Sequence, residues 1–554
     1  MSETNWHDSA DVVVVGSGAA GLFSALIAAD AGKKVVVVEK QATWGGSSAM
    51  SGGGMWLPNN PLMQRDGVED SADKALMYMN AVISDGPWTS PERKRAFVDN
   101  APRVVTYLEE RGFPFLRADE YPDYHPDEPG GMVGRAVEVA VFDGKKLGDW
   151  RKTMQAQPNN PGVPMTSRDA QYIPLAMRTL KAFMNVMRIG LTFIAWKLLG
   201  KHPMGIGQAL AGRLMKACQD RGVDVWLSSP LVRYIEEGGR VVGIEVDREG
   251  RRVALRANDA VMVTAGGFAH NEDLRQKTQR LTGAWSSANP GNTGDAILAG
   301  TDISVGTGLM GDAWWGPTFM MPGAGPAFAV YERSMPGCIL VDESGRRFAN
   351  ESASYVDVGQ AMRALDPQGP PPATWLVMDA RHRKRYMLGM APPRLTPKEW
   401  FTSGFMKRAD TLHDLAQQCG IDPDGLVETV TEFNRHAREG RDPAFHRGQS
   451  VYDNYYGDPR VKPNPNLMPI EQGPFLACQM VCGDLGTKGG LMCDEYSRVL
   501  REDGSVIEGL YASGNVTASV MGDRYPGPGS TLGPSMTFAY IAMNHVISTP
   551  GRRP

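Results

Sequence analysis

The chain has 554 residues, of which 42% are hydrophobic and 22% charged, with a formal net charge of −4. That length sustains several domains around a large core, and the near-balanced charge excludes a general nucleic-acid binder, which carries a basic excess. Six cysteines in so long a chain make no disulfide framework, and Cys478, Cys482 and Cys493 lack the paired C-x2-C of structural zinc sites, so no metal centre is expected.

In chain order, the N-terminal stretch "MSETNWHDSADVVVVGSG" has no basic segment leading into an apolar one, so no secretory signal is expected and a cytoplasmic location is. No run approaches the roughly 18 uninterrupted apolar residues of a spanning helix. "ADVVVVGSGAAGLFSALIAADAGKKVVVVEK" reads as a βαβ unit, in which two four-valine runs flank a helix-compatible run from Ala19 to Ala31. Gly16, Gly18 and Gly21 form G-x-G-x-x-G between the first strand and the helix. Gly16 permits the tight turn, Gly18 lets a pyrophosphate reach the helix N-terminal amides, and Gly21 allows close helix–strand packing. Glu39 ends the second strand, where its carboxylate can accept from ribose hydroxyls.

From Ala170 to Gln219 there are seven Lys or Arg and no Asp or Glu. Within "RTLKAFMNVMRIGLTFIAWKLLGK", bulky residues such as Phe183, Met187, Leu191 and Trp196 alternate with Arg178, Lys181, Arg188, Lys197 and Lys201. Such a basic helix can lie in the headgroup region of an anionic membrane, or pack its apolar side on the body of the protein. Next, "QALAGRLMKACQDRG" reads as a helix, and the stretch beginning "VDVWLSS" as strands with a hairpin at Glu237 to Arg240. "DAVMVTAGG" reads as another buried parallel strand. Residues Trp314 to Met480 are mixed, with a helix near "DTLHDLAQQCG", and "GLYASGNVTAS" returns to strand and turn. Finally, Gly522 to Met536 sets four glycines and three prolines around Tyr525, a run that cannot be helix or central strand, before a helix expected near Pro534.

This order predicts an α/β fold with an α+β insert. A Rossmann-like dinucleotide-binding domain in three pieces (1–150, 205–313 and 481–554) is interrupted by a helical, basic and apolar insert (151–204) and by a catalytic domain (314–480).

The continuation "EKQATWGGSSAMSGGGMWLPNN" resembles the flavoprotein family of fumarate reductases, succinate dehydrogenases and 3-ketosteroid dehydrogenases. The resemblance implies FAD, contacted by Gly16, Ser17, Gly18, Ala19, Ala20, Gly21, Glu39 and Lys40, and by Gly45, Gly46, Ser47, Ser48, Gly52 and Gly53. Succinate dehydrogenases carry a histidine near this loop for covalent attachment. None stands here, so non-covalent FAD is expected. "VMVTAGGF" adds Ala265 and Gly266, "NTGDAI" adds Asn292 and Asp295, and "GLYASGN" adds Gly514 and Asn515, where many relatives have Glu; Thr531 and Leu532 complete the set.

Matches in one order along nearly the whole chain, including "YPDYHPDEPGG", "RRFANESASYVDVG", "GDLGTKGGL" and "YPGPGSTLGPSMTFAY", resemble the 3-ketosteroid dehydrogenase branch and most of all its Δ1-dehydrogenases. The resemblance implies that Tyr355 is the base for the steroid C2 proton and that Tyr124 hydrogen-bonds to it, with Tyr121 as the rival for that place. Tyr525 and the Gly529 N–H hold the C3 oxygen, and FAD takes hydride from C1. Trp314 and Trp315 either line an apolar cleft or pack in the core. The implied partners are a 3-ketosteroid and an external, quinone- or dye-like electron acceptor. Peripheral contact with the cytoplasmic side of a membrane is a further expectation, and nothing in the sequence sets the oligomeric state. Alternatives are a 3-ketosteroid Δ4-(5α)-dehydrogenase and a fumarate-type reductase, the latter disfavoured because only Arg524 stands where an Arg/His cluster is needed.

Overall fold

The computed structural model describes residues 4–157 and 162–549. The first three residues of the N-terminal stretch, positions 158–161 of the predicted insert and the last five residues lie outside them. The βαβ unit forms as the valine pattern predicts, with β1 (Asp8–Val15), α1 (Ala19–Asp30) and β2 (Val35–Val38). Val12, Val14, Val35 and Val37 face one apolar cluster, which includes α1. Val13, Val15, Val36 and Val38 face another, so both sides of these strands are buried and their valines need not alternate with polar residues.

The long basic segment forms α2 (Leu180–Leu198) and is followed by α3 (Ile206–Gln219). Next come β3 (Asp224–Trp226), β4 (Leu231–Glu237), β5 (Arg240–Arg248) and β6 (Arg251–Val263). Gly238 and Gly239, with φ of 58° and 82°, make the tight turn between β4 and β5. The antiparallel sheet that follows is built from β7 (Ala313–Met321), β8 (Gly325–Phe328), β9 (Cys338–Val341), β10 (Thr374–Met378), β11 (Met406–Ala409) and β12 (Phe475–Thr487). Within it lies α4 (Tyr355–Ala364). The chain ends on β13 (Arg498–Leu500), β14 (Val506–Ala512) and α5 (Leu532–Ser548).

Strands β14, β6, β1, β2 and β3 lie side by side in that order, all parallel. β6 also pairs antiparallel with β5 through its first half, which adds β4 and β5 as an extension. In the second sheet the order is β8-β7-β12-β10-β9, with β11 also on β12. β12 runs through position 480, so this sheet continues to Thr487. The two-residue pairing of Phe142–Asp143 with Pro203–Met204 closes the neck of the segment that carries α2. The last helix begins at Leu532, two residues before Pro534. Pro534 falls in its first turn, where a missing N–H leaves no bond unmade.

Candidate active site

One cavity of about 460 Å³ runs from the glycine motif after β1 to the tyrosines beneath the antiparallel sheet. Its dinucleotide end is built on the N-terminus of α1, where Gly18 caps the helix with no side-chain bond. Gly16, Ser17, Gly18, Ala19 and Ala20 all line it; the Gly16, Ser17 and Ala19 N–H groups donate to Val38 O, Glu39 and Ser48, so the helix N-terminus meets an anion beside Gly18 and Ala20. Gly16 has φ +102°, and a Cβ there would lie 2.6 Å from the Thr264 carbonyl oxygen. Glu39 accepts from the Ser17 N–H (3.0 Å) and hydroxyl (2.6 Å) with one oxygen and from the Gln41 N–H (2.9 Å) with the other. Lys40 pairs with Asp295 at 2.7 Å. This combination of a helix N-terminus capped by a glycine, a close-packed glycine turn and a carboxylate at the end of the second strand fits a dinucleotide.

Of the residues expected around the cofactor, Gly46, Ser47, Ser48, Gly52, Gly53, Ala265, Gly266, Asn292, Asp295, Gly514, Asn515, Thr531 and Leu532 also line this cavity. Two do not. Gly21 lies behind the turn, where an added Cβ would be 2.0 Å from the Gly16 oxygen, so its part is packing. Gly45 caps the short helix Gly46–Met50 and donates its N–H to the Ser17 hydroxyl at 3.1 Å. Ser48 accepts from the Ala19 N–H at 3.0 Å, and Ser47 accepts from Asn292 at 3.1 Å, which ties the loop to both neighbouring elements. Thr264, Ser229 and Asn289 line the cavity as well, although no spacing in the sequence singles them out.

At the other end Tyr355, Tyr124, Tyr525 and Gly529 converge. Tyr355 opens α4, and Tyr124 sits on a loop fixed through its neighbour Asp123, which accepts from Trp56 Nε1 (2.7 Å) and Arg135 (2.8 Å). The glycine–proline loop that carries Tyr525 is pinned by its carbonyls. Pro526 O accepts from the Tyr124 N–H (2.8 Å) and the Tyr78 hydroxyl (2.6 Å), and Gly529 O accepts from the Trp56 N–H (3.2 Å). Tyr124 donates to the Tyr355 hydroxyl at 3.3 Å. The Tyr124 and Tyr525 rings stack at 5.3 Å, and Tyr355 meets Tyr525 edge-on, also at 5.3 Å. Tyr121 stands behind Tyr124, with its hydroxyl 3.5 Å from Tyr124 and 2.9 Å from Tyr456, so Tyr124 is the one beside Tyr355.

Burial shapes the acidity of these phenols. Desolvation pushes Tyr355 well above the ordinary phenol value, and the hydrogen bond from Tyr124 opposes that. Tyr525 is raised by burial too, while the Thr531 hydroxyl, Tyr355 and the Gly529 N–H hold it down. Tyr525 and the Gly529 backbone line the same end of the cavity. Trp314 does not line the cavity: it is buried, meets Tyr525 edge-on at 5.2 Å and donates to Asn515 at 3.0 Å. Trp315 packs in the core of the antiparallel sheet and donates to Asp312 at 2.7 Å. Both tryptophans are supports. Phe328, Val330, Leu485 and Tyr456 supply the apolar wall instead. The signal for Tyr456 was the density of tyrosine in "YDNYYG"; for Tyr78 there was none.

The fold and this cavity define a flavoprotein oxidoreductase. A family model described as FAD binding domain matches residues 11–532, so the chain belongs to that family, and FAD is its cofactor. It is 43% identical to the 3-oxosteroid 1-dehydrogenase of Mycolicibacterium smegmatis, over 97% of this chain and 97% of that protein. The protein of the same name from Mycobacterium tuberculosis is 42% identical, over 98% of this chain and 99% of that one. Among solved structures, 3-ketosteroid Δ1-dehydrogenase from Sterolibacterium denitrificans, in complex with 1,4-androstadiene-3,17-dione, matches with a TM-score of 0.92 at 38% identity, covering 98% of this chain and 100% of that chain.

Proposed function

We propose that this protein dehydrogenates 3-ketosteroids between C1 and C2. The observation that carries the reading is the meeting of Tyr355, Tyr525 and the Gly529 N–H at one end of the cavity whose other end fits the dinucleotide. Full-length similarity to 3-oxosteroid 1-dehydrogenases supports it.

FAD, when bound, supplies the acceptor for the C1 hydride. The chain supplies the rest. A C2–H is acidic only because its loss places charge on the C3 oxygen. Tyr525 and the Gly529 N–H donate there, and removing one such donor costs about 3–4 kcal/mol in comparable sites. Tyr355 takes the C2 proton as a phenolate. Ionising a phenol at pH 7 costs roughly 4 kcal/mol before burial is counted, and the Tyr124 hydroxyl offsets part of this by donating to the oxygen that becomes charged. The apolar wall of Phe328, Val330 and Leu485 suits a ring system and keeps water from the carbanion. Among the described residues lining the cavity there is no histidine or cysteine, which supports non-covalent FAD. Lys40 is the only Lys or Arg among them and is paired with Asp295, so the site has no clamp for a dicarboxylate. Arg524 instead faces Asp357 at 3.5 Å.

The electron acceptor belongs to the quinone or dye class, and the protein rests on a membrane surface through α2. Leu180, Met184, Leu191, Ile194 and Leu198 form an exposed stripe at helical spacing, whereas only Ala182 and Ile189 of this helix are buried. Its charge is smaller than the sequence suggests, because Arg178, Lys181 and Arg188 pair with Asp458, Glu120 and Asp169. Asp169 follows Ser167, which lines the cavity, so the helix borders the end of the site that takes the steroid. No helix among the described residues is long and apolar enough to cross a membrane. The deciding experiment is mass analysis of the product from a 3-keto-4-ene steroid with a dye acceptor. A loss of two hydrogens to give the 1,4-diene supports the reading; no reaction with that steroid, alongside turnover of a 5α-saturated ketone to the 4-ene, would favour the Δ4-(5α) chemistry.

A further inference from the structure

We infer that Asp357 is a positioning residue, which holds the segments of Tyr124, Tyr355 and Tyr525 in register from outside the cavity, a role that rests on the steroid reading above. Each of these tyrosines has a charged or titratable neighbour within two positions: His125 after Tyr124, Asp357 after Tyr355 and Arg524 before Tyr525. None of the three lines the cavity. They meet outside it, at the Asp357 carboxylate. One Asp357 oxygen accepts from the Ser354 hydroxyl at 2.8 Å and lies 3.6 Å from His125 Nε2, and the other lies 3.5 Å from Arg524. An ionised carboxylate only accepts, so it gathers donors from separate segments. The contacts to His125 and Arg524 are longer than hydrogen bonds and act through charge and dipole.

Neighbouring bonds tie the same segments in pairs. Ser354 caps α4 by accepting from the Asp357 N–H at 3.2 Å, which fixes the turn that Tyr355 opens. The His125 N–H donates to the Tyr78 hydroxyl at 3.1 Å, and that hydroxyl donates to Pro526 O beside Tyr525. Gln360, one turn along α4 from Asp357, accepts from Arg524 at 3.2 Å and donates to the Asp523 carbonyl. Tyr78 and Gln360 each join two of the segments, whereas Asp357 meets all three. The reaction needs that register. C2 and C3 are bonded neighbours, so the Tyr355 and Tyr525 hydroxyls must reach adjacent atoms of one rigid ring together. Misplacing a reacting group by about 1 Å can cost about 10²-fold in rate. Contacts this exposed, with the Arg524 side chain at 39% and Asp357 at 24%, add little to global stability, so their loss should appear in the chemistry before it appears in folding.

Stopped-flow reduction of the holoenzyme's flavin by a 3-keto-4-ene steroid tests this. Asp357→Asn can still accept from Ser354 but loses its charge, and should slow reduction about tenfold or more. Its FAD content and its Kd for 1,4-androstadiene-3,17-dione should stay within about twofold of the parent values. Asp357→Glu restores the charge, is favoured at this third helical position and should recover most of the rate. Arg524→Met cuts the same link from the other side, so it should slow reduction too, and the double variant Asp357→Asn/Arg524→Met should be no slower than the slower single one. A carboxylate acting on Tyr355 only through its field would disfavour the phenolate, so neutralising it would speed reduction instead. Reduction at the parent rate or faster in Asp357→Asn, a loss of ligand affinity as large as the loss of rate, or losses that multiply in the double variant would overturn the role. So would equal losses in Asp357→Asn and Ser354→Ala beside an unaffected Arg524→Met, which would make Asp357 a helix cap alone. If the parent's flavin is reduced by steroid and that of Asp357→Asn equally fast, this role fails and the steroid reading stands. If steroid does not reduce the parent's flavin, both fail.

Discussion

Tyr124 donates its hydroxyl to that of Tyr355 across 3.3 Å, joining a loop near the first third of the chain to the opening residue of a helix 231 positions later. The bond runs toward the oxygen that must lose its proton if Tyr355 is the base. Replacing Tyr355 by Phe removes that oxygen and should lower kcat by about 10²–10⁴, the usual range for a general base. FAD should stay bound, because the glycine turn that fits the dinucleotide lies at the opposite end of the cavity. Tyr525→Phe should cost about 10²–10³ by removing a donor to the C3 oxygen. Stopped-flow flavin reduction measures both, and a Tyr355→Phe enzyme that reduces its flavin at the original rate rules Tyr355 out as base.

The same bond sets a pH dependence. On the proposed mechanism Tyr355 acts only when deprotonated, and burial holds its pKa well above the ordinary phenol value. Below that pKa each unit of pH raises the phenolate fraction tenfold, so with chemistry rate-limiting the rate of flavin reduction should climb from about pH 7 to about pH 10. Tyr124→Phe removes the donor that favours the charged form, which raises the pKa further. Its rising limb should move to higher pH, and its rate at pH 8 should fall about tenfold or more. A flat profile between neutral pH and pH 9 in the parent enzyme would argue for a different base.

How much of this was legible in the sequence depends on how local each contact is. The valine runs, the glycine turn and the Gly238–Gly239 hairpin are decided within a few residues, and each forms where the pattern puts it. Lys40 was legible as a motif neighbour, but its pairing with Asp295 joins positions more than two hundred apart, and periodicity carries no information at that range. The one-sided charge of α2 misled for the same reason, since the acids that pair with it, Glu120, Asp169 and Asp458, come from other segments. Trp314 and Trp315 were undecided because an indole serves equally as wall or support. The hydrogen bonds to Asn515 and Asp312 make them supports.

Gly529 is held at φ +91°, and a Cβ there would lie 2.3 Å from the Gly54 carbonyl oxygen. Gly529→Ala therefore strains the backbone, at about 1–3 kcal/mol for the conformation alone, and displaces the N–H that the proposed mechanism directs at the C3 oxygen. Flavin reduction by steroid should slow about 10²-fold or more while FAD remains bound. Gly16→Ala meets the Thr264 carbonyl in the turn at the other end, so its expected defect is the opposite one: purification with little flavin absorbance. Retention of full activity in Gly529→Ala would mean that this N–H does not serve the oxyanion.

The exposed stripe of α2 makes the last prediction. Leu191 and Ile194 are 61% and 55% exposed, so charging them disturbs little of the folded core. Each apolar side chain buried on a lipid surface contributes about 1.5–3 kcal/mol at most, and the double variant Leu191→Glu/Ile194→Glu should lose at least tenfold in co-sedimentation with anionic vesicles. Lys197 and Lys201, which lie over the Phe193 and Trp196 rings, add an electrostatic share. Because the other cations of the segment are already paired, raising the salt concentration should weaken binding only in part, and Lys197→Glu/Lys201→Glu should abolish that salt-sensitive part. Equal sedimentation of parent and Leu191→Glu/Ile194→Glu proteins would overturn the membrane reading. A concentration-dependent dimer of the parent that the same variant dissociates would assign the stripe to a second copy of the chain instead.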